Sequence, residues 1–263
     1  MPRAKRNYLP GYIWHITHRC HHRKFLLKFG RDKRTWLYWV HAAVERFGLC
    51  VLNFTVTSNH VHLLLLDTSS RVEQVIARSL HLAAGRTAQE YNERKGRSGA
   101  YWEDRYHATA VENGEHFIKC LTYIDMNMVR AGVVGHPAQW PFGGYHALMQ
   151  LQSRLRYQVV DWEALMDLLG MRNIRELQDA RTAWIETLGP TSFLERDPKW
   201  TESFAVGSKP FIEEVKEKLG NRARGRDVVG EGGAFLLQEP REPYFRVFDI
   251  KNDDLRPKSR AKI

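Results

Sequence analysis

The segment that most constrains how this chain can fold is residues 49–66. Two runs of apolar and β-branched residues, LCVLNFTVT (49–57) and HVHLLLL (60–66), are separated only by Ser58 and Asn59. Such a pair of runs predicts a β-hairpin. The second run is apolar at nearly every position, which predicts a strand that is covered on both faces. The fold must therefore place a layer of structure on each side of this sheet.

The segments around the hairpin predict what these layers are. Strand patterns occur at 12–20 and 101–111, and apolar residues recur at helical spacing in 32–48, 71–95 and 113–131. The order is β-α-β-β-α-β followed by one more helix, which is the order of a ferredoxin-like sheet. The predicted fold class is α+β: a ferredoxin-like βαββαβ sheet with two helices on one face and the additional helix on the other.

Residues after about 150 have a different character. Helical patterns occur at 161–170, 173–188 and 209–220, whereas residues 230–263 are rich in glycine, proline and charge, which predicts extended chain. We therefore predict two domains. Residues 1–150 form the sheet domain, and residues 151–263 form a mainly helical, partly extended extension.

The charge of the chain indicates a polyanionic partner. Its 40 Lys and Arg residues outnumber its 30 Asp and Glu residues, which gives a net charge of +10. The segment from Arg3 to Arg34 holds ten basic residues and one acid, Asp32, and the last nine residues are also basic. Both ends are candidates for arms that grip a phosphate backbone. For the C-terminal tail, a solvated segment is an equally good interpretation.

The cysteines and the apolar runs favour a cytoplasmic protein. The three cysteines, at positions 20, 50 and 120, form no CxxC pair and suggest neither a disulfide framework nor a thiolate metal site. They fit a reducing compartment. The first residues lack the apolar run of a signal peptide, and no stretch approaches about 18 apolar residues in a row. We therefore expect no membrane partner.

A candidate site follows from two short patterns. Alternation along a strand places the imidazoles of His60 and His62 on one face and Val61 on the other, toward the two-helix layer. Two neutral imidazoles form a natural pair of ligands for a divalent cation, although a bare HxH pattern is more often structural. Tyr123 and Asn127 are four residues apart on a predicted helix, so a phenol and an amide share one face. The alternative for Tyr123 is a core tyrosine with a satisfied hydroxyl.

Three strings give these patterns a family context: SNHVHLLLL (58–66), YWEDRYHATAVENGEHF (101–117) and YIDMNMVRAGVV (123–134). Together they resemble the REP-associated tyrosine transposases, single-tyrosine members of the HUH endonuclease superfamily, over roughly residues 8–148. The resemblance implies that His60 and His62 bind Mg²⁺ or Mn²⁺ and that Tyr123 is the nucleophile on a catalytic helix. Asn127 stands where relatives carry a metal-binding Gln, so the third ligand stays open, with His15, His18 and His107 as alternatives.

The resemblance also implies a partner, which is single-stranded DNA that carries a hairpin. Basic residues interleaved with aromatic ones suit a strand whose bases stack beside a phosphate track. The candidate DNA contacts are Arg3, Lys5, Arg6, Asn7, Trp102, Arg105, His107 and Arg130. Trp14 and Trp102 are candidates for stacking on bases or, alternatively, core residues of the sheet. The basic segment 222–226 is a candidate phosphate contact or, equally, a solvated run, and we expect the extension 151–263 to help hold DNA.

The predicted function is that of a metal-dependent, single-stranded DNA endonuclease and strand transferase. It would cleave hairpin-associated DNA through a 5′-phosphotyrosine, in a bacterial-type cytoplasm near the nucleoid, as a monomer rather than a dimer. One alternative is a non-cleaving module that binds nucleic acid. Another is a metal-dependent hydrolase of small molecules, which the net charge of +10 disfavours.

Overall fold

The computed structural model describes residues 9–68, 74–151, 157–192 and 195–239. Four predicted DNA contacts, Arg3, Lys5, Arg6 and Asn7, lie outside the described residues, and so does the basic C-terminal tail. Within the described ranges, no helix is both long enough and apolar enough to cross a membrane.

Four strands from the first half of the chain form the ferredoxin-like part of the sheet. They are β1 (Ile13–Arg19), β2 (Cys50–Val56), β3 (His60–Leu66) and β4 (His107–Val111). They lie in the order β2-β3-β1-β4, and every neighbouring pair is antiparallel. Helices α1 (Gly30–Phe47) and α2 (Val75–Arg94) pack against each other over one face. The predicted α+β class and its βαββαβ order are confirmed.

The opposite face of the sheet is covered by the helices that follow β4. These are α3 (Glu115–Asp125), α4 (Asn127–Arg130) and α5 (Gly144–Met149). Val61, Leu63 and Leu65 belong to the core under α1 and α2, whereas Leu64 belongs to the core under α3. Strand β3 is therefore buried on both sides, as its continuous apolar run predicts, and its histidines share the face that α3 covers.

The second half of the chain contributes strands as well as helices. Its elements are α6 (Trp162–Leu169), α7 (Ile174–Ser192), α8 (Lys199–Glu202), β5 (Ala205–Gly207), α9 (Lys209–Leu219), β6 (Asp227–Glu231) and β7 (Ala234–Gln238). Strand β5 pairs in parallel with β4, and the sheet continues as β5-β7-β6. The sheet therefore runs through both predicted domains, and the boundary near 150 stays a prediction.

Three sequence predictions about elements need correction. The extension is mainly helical, as predicted, but it also contains three strands that were not predicted, two of which form a hairpin because Gly232 and Gly233 adopt positive φ angles of 57° and 78°. The strand predicted over 101–111 is continuous only over 107–111, and before it Trp102 forms an isolated antiparallel bridge to Cys20 while its indole N–H donates to the Ala84 carbonyl. The helix predicted over 113–131 is interrupted at Met126 and becomes α3 and α4.

Candidate functional site

A cavity of about 430 Å³ opens where β1, β3 and β4 meet the end of α3. The sheet register places Thr17 of β1 between His62 of β3 and His107 of β4. Helices α3 and α4 bring Tyr123 and Asn127 to the same cavity. The four residues that the sequence singles out for chemistry, His60, His62, Tyr123 and Asn127, thus line one site.

His60 is held at the first position of β3 by the turn that precedes it. Its Nδ1 lies 2.7 Å from Oδ1 of Asn59, and the amide nitrogen of Asn59 donates to the carbonyl of Arg23 at 3.2 Å. Because an amide oxygen only accepts hydrogen bonds, Nδ1 of His60 carries the proton. The Nε2 atom of His60 therefore keeps its lone pair.

His62 is buried beneath His60 and is bonded through both of its ring nitrogens. Its Nδ1 lies 2.9 Å from Nε2 of His15 on β1, and the amide nitrogen of Asn127 donates to its Nε2 at 3.0 Å. The rings of His60 and His62 are 4.9 Å apart between centroids. Sequence alternation alone predicts that the two imidazoles share a face, and the structure confirms it.

Burial keeps these imidazoles neutral. It lowers the pKa of His60 to about 4, with Arg19 and Arg130 adding a smaller effect in the same direction. It holds the pKa of His62 well below its usual range, and the neighbouring histidines contribute to that shift. Neutral imidazole is the form that binds a metal, because the lone pair must be available.

Tyr123 lies at the wall of the cavity, with only 2% of its surface exposed. Its ring contacts the rings of His15, His62 and Trp200 at centroid distances of 6.1–6.3 Å. Burial raises the pKa of the Tyr123 phenol, and the positive charge of Arg130 opposes that rise. The guanidinium of Arg130 stands 4.2 Å from the centre of the Tyr123 ring.

Charged residues surround the opening of the cavity. Its lining includes four arginines and three acids: Arg19, Arg105, Arg130, Arg196, Glu103, Asp104 and Glu202. Arg196 comes from the second half of the chain and forms an ion pair with Glu202 at 2.6 Å. Arg105, His107 and Arg130, three of the predicted DNA contacts, therefore lie at the site, and Arg196 is a basic residue there that sequence patterns missed.

The two tryptophans with alternative interpretations differ in position. Trp14 is 5% exposed and belongs to the core under α1 and α2. Trp102 is half-buried beside the cavity, where His18 stacks on its ring at 4.1 Å and Trp36 meets it at 5.2 Å. The core interpretation is thus confirmed for Trp14, and a role of Trp102 in DNA binding stays a prediction.

Buried polar residues fix the end of α3, and the sequence patterns did not identify them. Asn53 of β2 donates to Oδ1 of Asp125 at 2.9 Å, and Thr55 donates to the Ile124 carbonyl at 3.1 Å. Arg181 of α7 pairs with Asp125 at 2.5 Å. Asp125 lies midway between Tyr123 and Asn127, so these contacts orient both. The sequence feature that could have identified these residues is the polar pair Asn53 and Thr55 in the otherwise apolar strand β2.

The donor set of the cavity fits one hard or borderline divalent cation. The two imidazoles, whose ring centroids are 4.9 Å apart, and the amide of Asn127 line one cavity. A flip of that amide, which exchanges its nitrogen and oxygen, would make Asn127 a third ligand. Among the described residues, no group of three or more His, Cys, Asp or Glu side chains is placed to hold a metal. Any ligand set here therefore requires the amide, water or a phosphate oxygen beside the two histidines.

Known proteins resemble the part of the chain that holds this site. Residues 9–127 match the model of the IS200-like transposase family. The structure of a REP-associated tyrosine transposase bound to a REP hairpin is 19% identical, with a TM-score of 0.45 over 61% of this chain and 94% of that one. A candidate transposase from Deinococcus radiodurans R1 is 17% identical, with a TM-score of 0.32 over 44% of this chain and 88% of that one. No curated protein matches the chain significantly.

The family match runs from the residues before β1 to Asn127. It therefore includes the histidine strand, the tyrosine helix and the four residues that meet in the cavity. The part of the chain that carries the candidate site is therefore similar to the IS200-like transposase family.

Proposed function

We propose that this protein is a metal-dependent endonuclease and strand transferase that acts on single-stranded DNA with a hairpin, as the REP-associated transposases do. The observation that carries the proposal is the convergence of His60, His62, Asn127 and Tyr123 on one cavity. A protein that only binds nucleic acid has no need of two neutral imidazoles beside a buried tyrosine. Arginines around the opening suit a phosphate backbone.

In the proposed reaction, the Tyr123 oxygen attacks a DNA phosphorus atom. A bond forms between that oxygen and the phosphorus, and the bond from phosphorus to the 3′ oxygen of the preceding nucleotide breaks. The products are a 5′-phosphotyrosine and a free 3′-hydroxyl, which takes up the proton that the phenol loses. The covalent bond conserves the energy that later joins the phosphate to another strand.

The residues of the cavity supply the surroundings of this step. His60, His62 and Asn127 would hold Mg²⁺ or Mn²⁺, which when bound supplies positive charge to the phosphate oxygens. Arg130 places a second cation beside Tyr123 and favours its ionised form. The phenol needs this help to react at neutral pH, because burial raises its pKa above the ordinary value of about 10.

The test is a denaturing gel with labelled, hairpin-bearing single-stranded DNA and Mn²⁺. We expect wild-type protein to form a covalent protein–DNA band that is absent in Tyr123→Phe and after chelation of the metal. Tyr101→Phe is the matched control, because Tyr101 is equally buried, at 2% exposure, but lies in the core under α1 and α2. It should form the band.

Two outcomes would contradict the proposal. A covalent band that persists in Tyr123→Phe would show that another residue is the nucleophile. If a broad pool of hairpins gave no band at all while DNA binding persisted, the non-cleaving binding module would be the better account.

A further inference from the structure

His15 lies beneath the candidate metal site, and the hydrogen bonds of its two ring nitrogens define its role. It is fully buried, with Nδ1 at 2.8 Å from the carbonyl oxygen of Trp200 and Nε2 at 2.9 Å from Nδ1 of His62. A carbonyl oxygen only accepts, so Nδ1 of His15 carries a proton. A ring buried to this extent stays neutral, because burial disfavours the charged form. Its Nε2 therefore accepts, and Nδ1 of His62 donates.

This chain of hydrogen bonds determines which nitrogen of His62 is left for a ligand. With its proton on Nδ1, His62 carries its lone pair on Nε2. The opposite end of the ring agrees with this assignment, because the amide nitrogen of Asn127 donates to that same Nε2 at 3.0 Å. His60 also carries its proton on Nδ1, because that nitrogen donates to Oδ1 of Asn59. Both imidazoles therefore present Nε2 to the cavity.

The carbonyl of Trp200 is available because helix α8 is only four residues long. In a longer helix, the N–H of Phe204 would bond to that carbonyl. Here the N–H of Phe204 donates instead to the carbonyl of Leu237 in β7, at 2.7 Å. The hydroxyl of Thr109 on β4 lies 3.3 Å from the Trp200 carbonyl and donates its proton over the shorter distance of 2.7 Å to the Ser203 carbonyl.

We propose that His15 is a positioning residue that acts with the main-chain carbonyl of Trp200. Together they fix the ring orientation and the protonated nitrogen of His62, so that Nε2 is the atom presented to a divalent cation. Partners of this kind typically change metal affinity by about 10- to 100-fold. The inference rests on the proposed function, and it makes the segment around Trp200, far along the chain, part of the site.

The first test reads the protonated nitrogen of His62 directly, in full-length ¹⁵N-labelled protein without metal. Long-range ¹H–¹⁵N correlation spectra distinguish protonated from bare ring nitrogens, and the His62 signals are assigned by their loss in His62→Gln. We expect His62 to carry its proton on Nδ1. A proton on Nε2 of His62 in the wild-type protein would overturn the inference.

The second test measures Mn²⁺ affinity by calorimetry in His15→Phe and His15→Gln. His15→Phe removes the acceptor and should weaken binding by about 10- to 100-fold. His15→Gln retains an acceptor oxygen for the His62 N–H and should lose less. The matched control is His146→Gln, since His146 also donates to a carbonyl, that of Ala138, away from the cavity. It should bind Mn²⁺ as wild type does.

The outcomes separate this inference from the proposed function. Unchanged Mn²⁺ affinity in folded His15→Phe, equal losses in the Phe and Gln variants, or no Mn²⁺ binding by the wild type would each overturn the role of His15. If His15→Phe does not fold, the spectrum of the wild type and the His15→Gln affinity still decide. Failure to form a DNA adduct, with the predicted protonation and affinities intact, would contradict only the proposed function.

Discussion

At the scale of single residues, Arg130 holds its positive charge 4.2 Å from the centre of the ring of the proposed nucleophile, Tyr123. We predict that Arg130→Met slows formation of the covalent adduct by about 100-fold, because losing one preorganised positive donor at a developing negative charge costs about that much. Arg130→Lys should recover part of the rate, since it keeps the charge but not the guanidinium geometry. The measurement is the single-turnover rate with saturating DNA.

Lys119→Met is the control for Arg130, because it removes one positive charge from the same helical region. Lys119 pairs with exposed Glu115, and the variant should react at the wild-type rate. Equal slowing in Lys119→Met and Arg130→Met would mean that general charge, rather than the position of Arg130, governs the rate.

The sequence predicted which residues meet at the site, but it could not separate the proposed ligands from the residues that position them. His60, His62, Tyr123 and Asn127 were predictable because strand alternation and helical spacing fix the faces on which side chains lie. His15 was one of three open alternatives for a third ligand. Its partner Trp200 lies 185 residues away, so no local pattern reveals that both nitrogens of His15 are already engaged.

At the scale of elements, the contact between β2 and α5 depends on a glycine. A Cβ added at Gly144 would overlap Oδ1 of Asn53 and come within 3.3 Å of the Phe54 nitrogen. Asn53 is fully buried and bonded to Asp125. We predict that Gly144→Ala lowers the free energy of unfolding by about 1–3 kcal/mol, the usual cost of overpacking. Urea denaturation measures this value.

Gly85→Ala provides the matched control in the same assay. Gly85 lies inside α2, and a Cβ there meets no atom within 4 Å. Alanine favours a helix over glycine by about 1 kcal/mol, so this variant should be as stable as the wild type or more so. Destabilisation of both variants to the same extent would refute the steric argument for Gly144.

Element types were more predictable than element ends. The hairpin 49–66 and helices α1, α2, α6, α7 and α9 follow from apolar periodicity, which packing preserves. The patterns failed where a contact distant in sequence decides the structure. The strand predicted over 101–111 is interrupted between Trp102, which bridges Cys20, and His107. Strand β5, with three residues, is too short to show a pattern and exists because β4 and β7 pair with it.

At the scale of the whole molecule, an ion pair connects the two halves of the chain beneath the site. The side chains of Arg181 and Asp125 are 0% and 1% exposed and lie 2.5 Å apart. We predict that Arg181→Met lowers the free energy of unfolding by about 3 kcal/mol, because it leaves a carboxylate buried without its partner. Burial already raises the pKa of Asp125 against the opposing charge of Arg181.

Two further variants test the cause of the stability loss in Arg181→Met. The double variant Asp125→Asn with Arg181→Met should recover much of the lost stability, since no unpaired charge remains. Arg172→Met breaks an exposed pair with Glu176 and should change stability by less than about 1 kcal/mol. A loss in Arg181→Met no larger than that of Arg172→Met would contradict the account of the buried pair.

The central claim, that Tyr123 becomes bonded to a DNA phosphate, is tested most directly by mass spectrometry of the adduct. Wild-type protein would be incubated with hairpin-bearing single-stranded DNA and Mn²⁺, digested with nuclease and trypsin, and sequenced by fragmentation. Trypsin releases residues 120–130, CLTYIDMNMVR, in which Tyr123 is the one tyrosine. We predict a nucleotide phosphate on Tyr123. A phosphate on another residue, or an unmodified peptide in protein that binds the DNA, would contradict the claim.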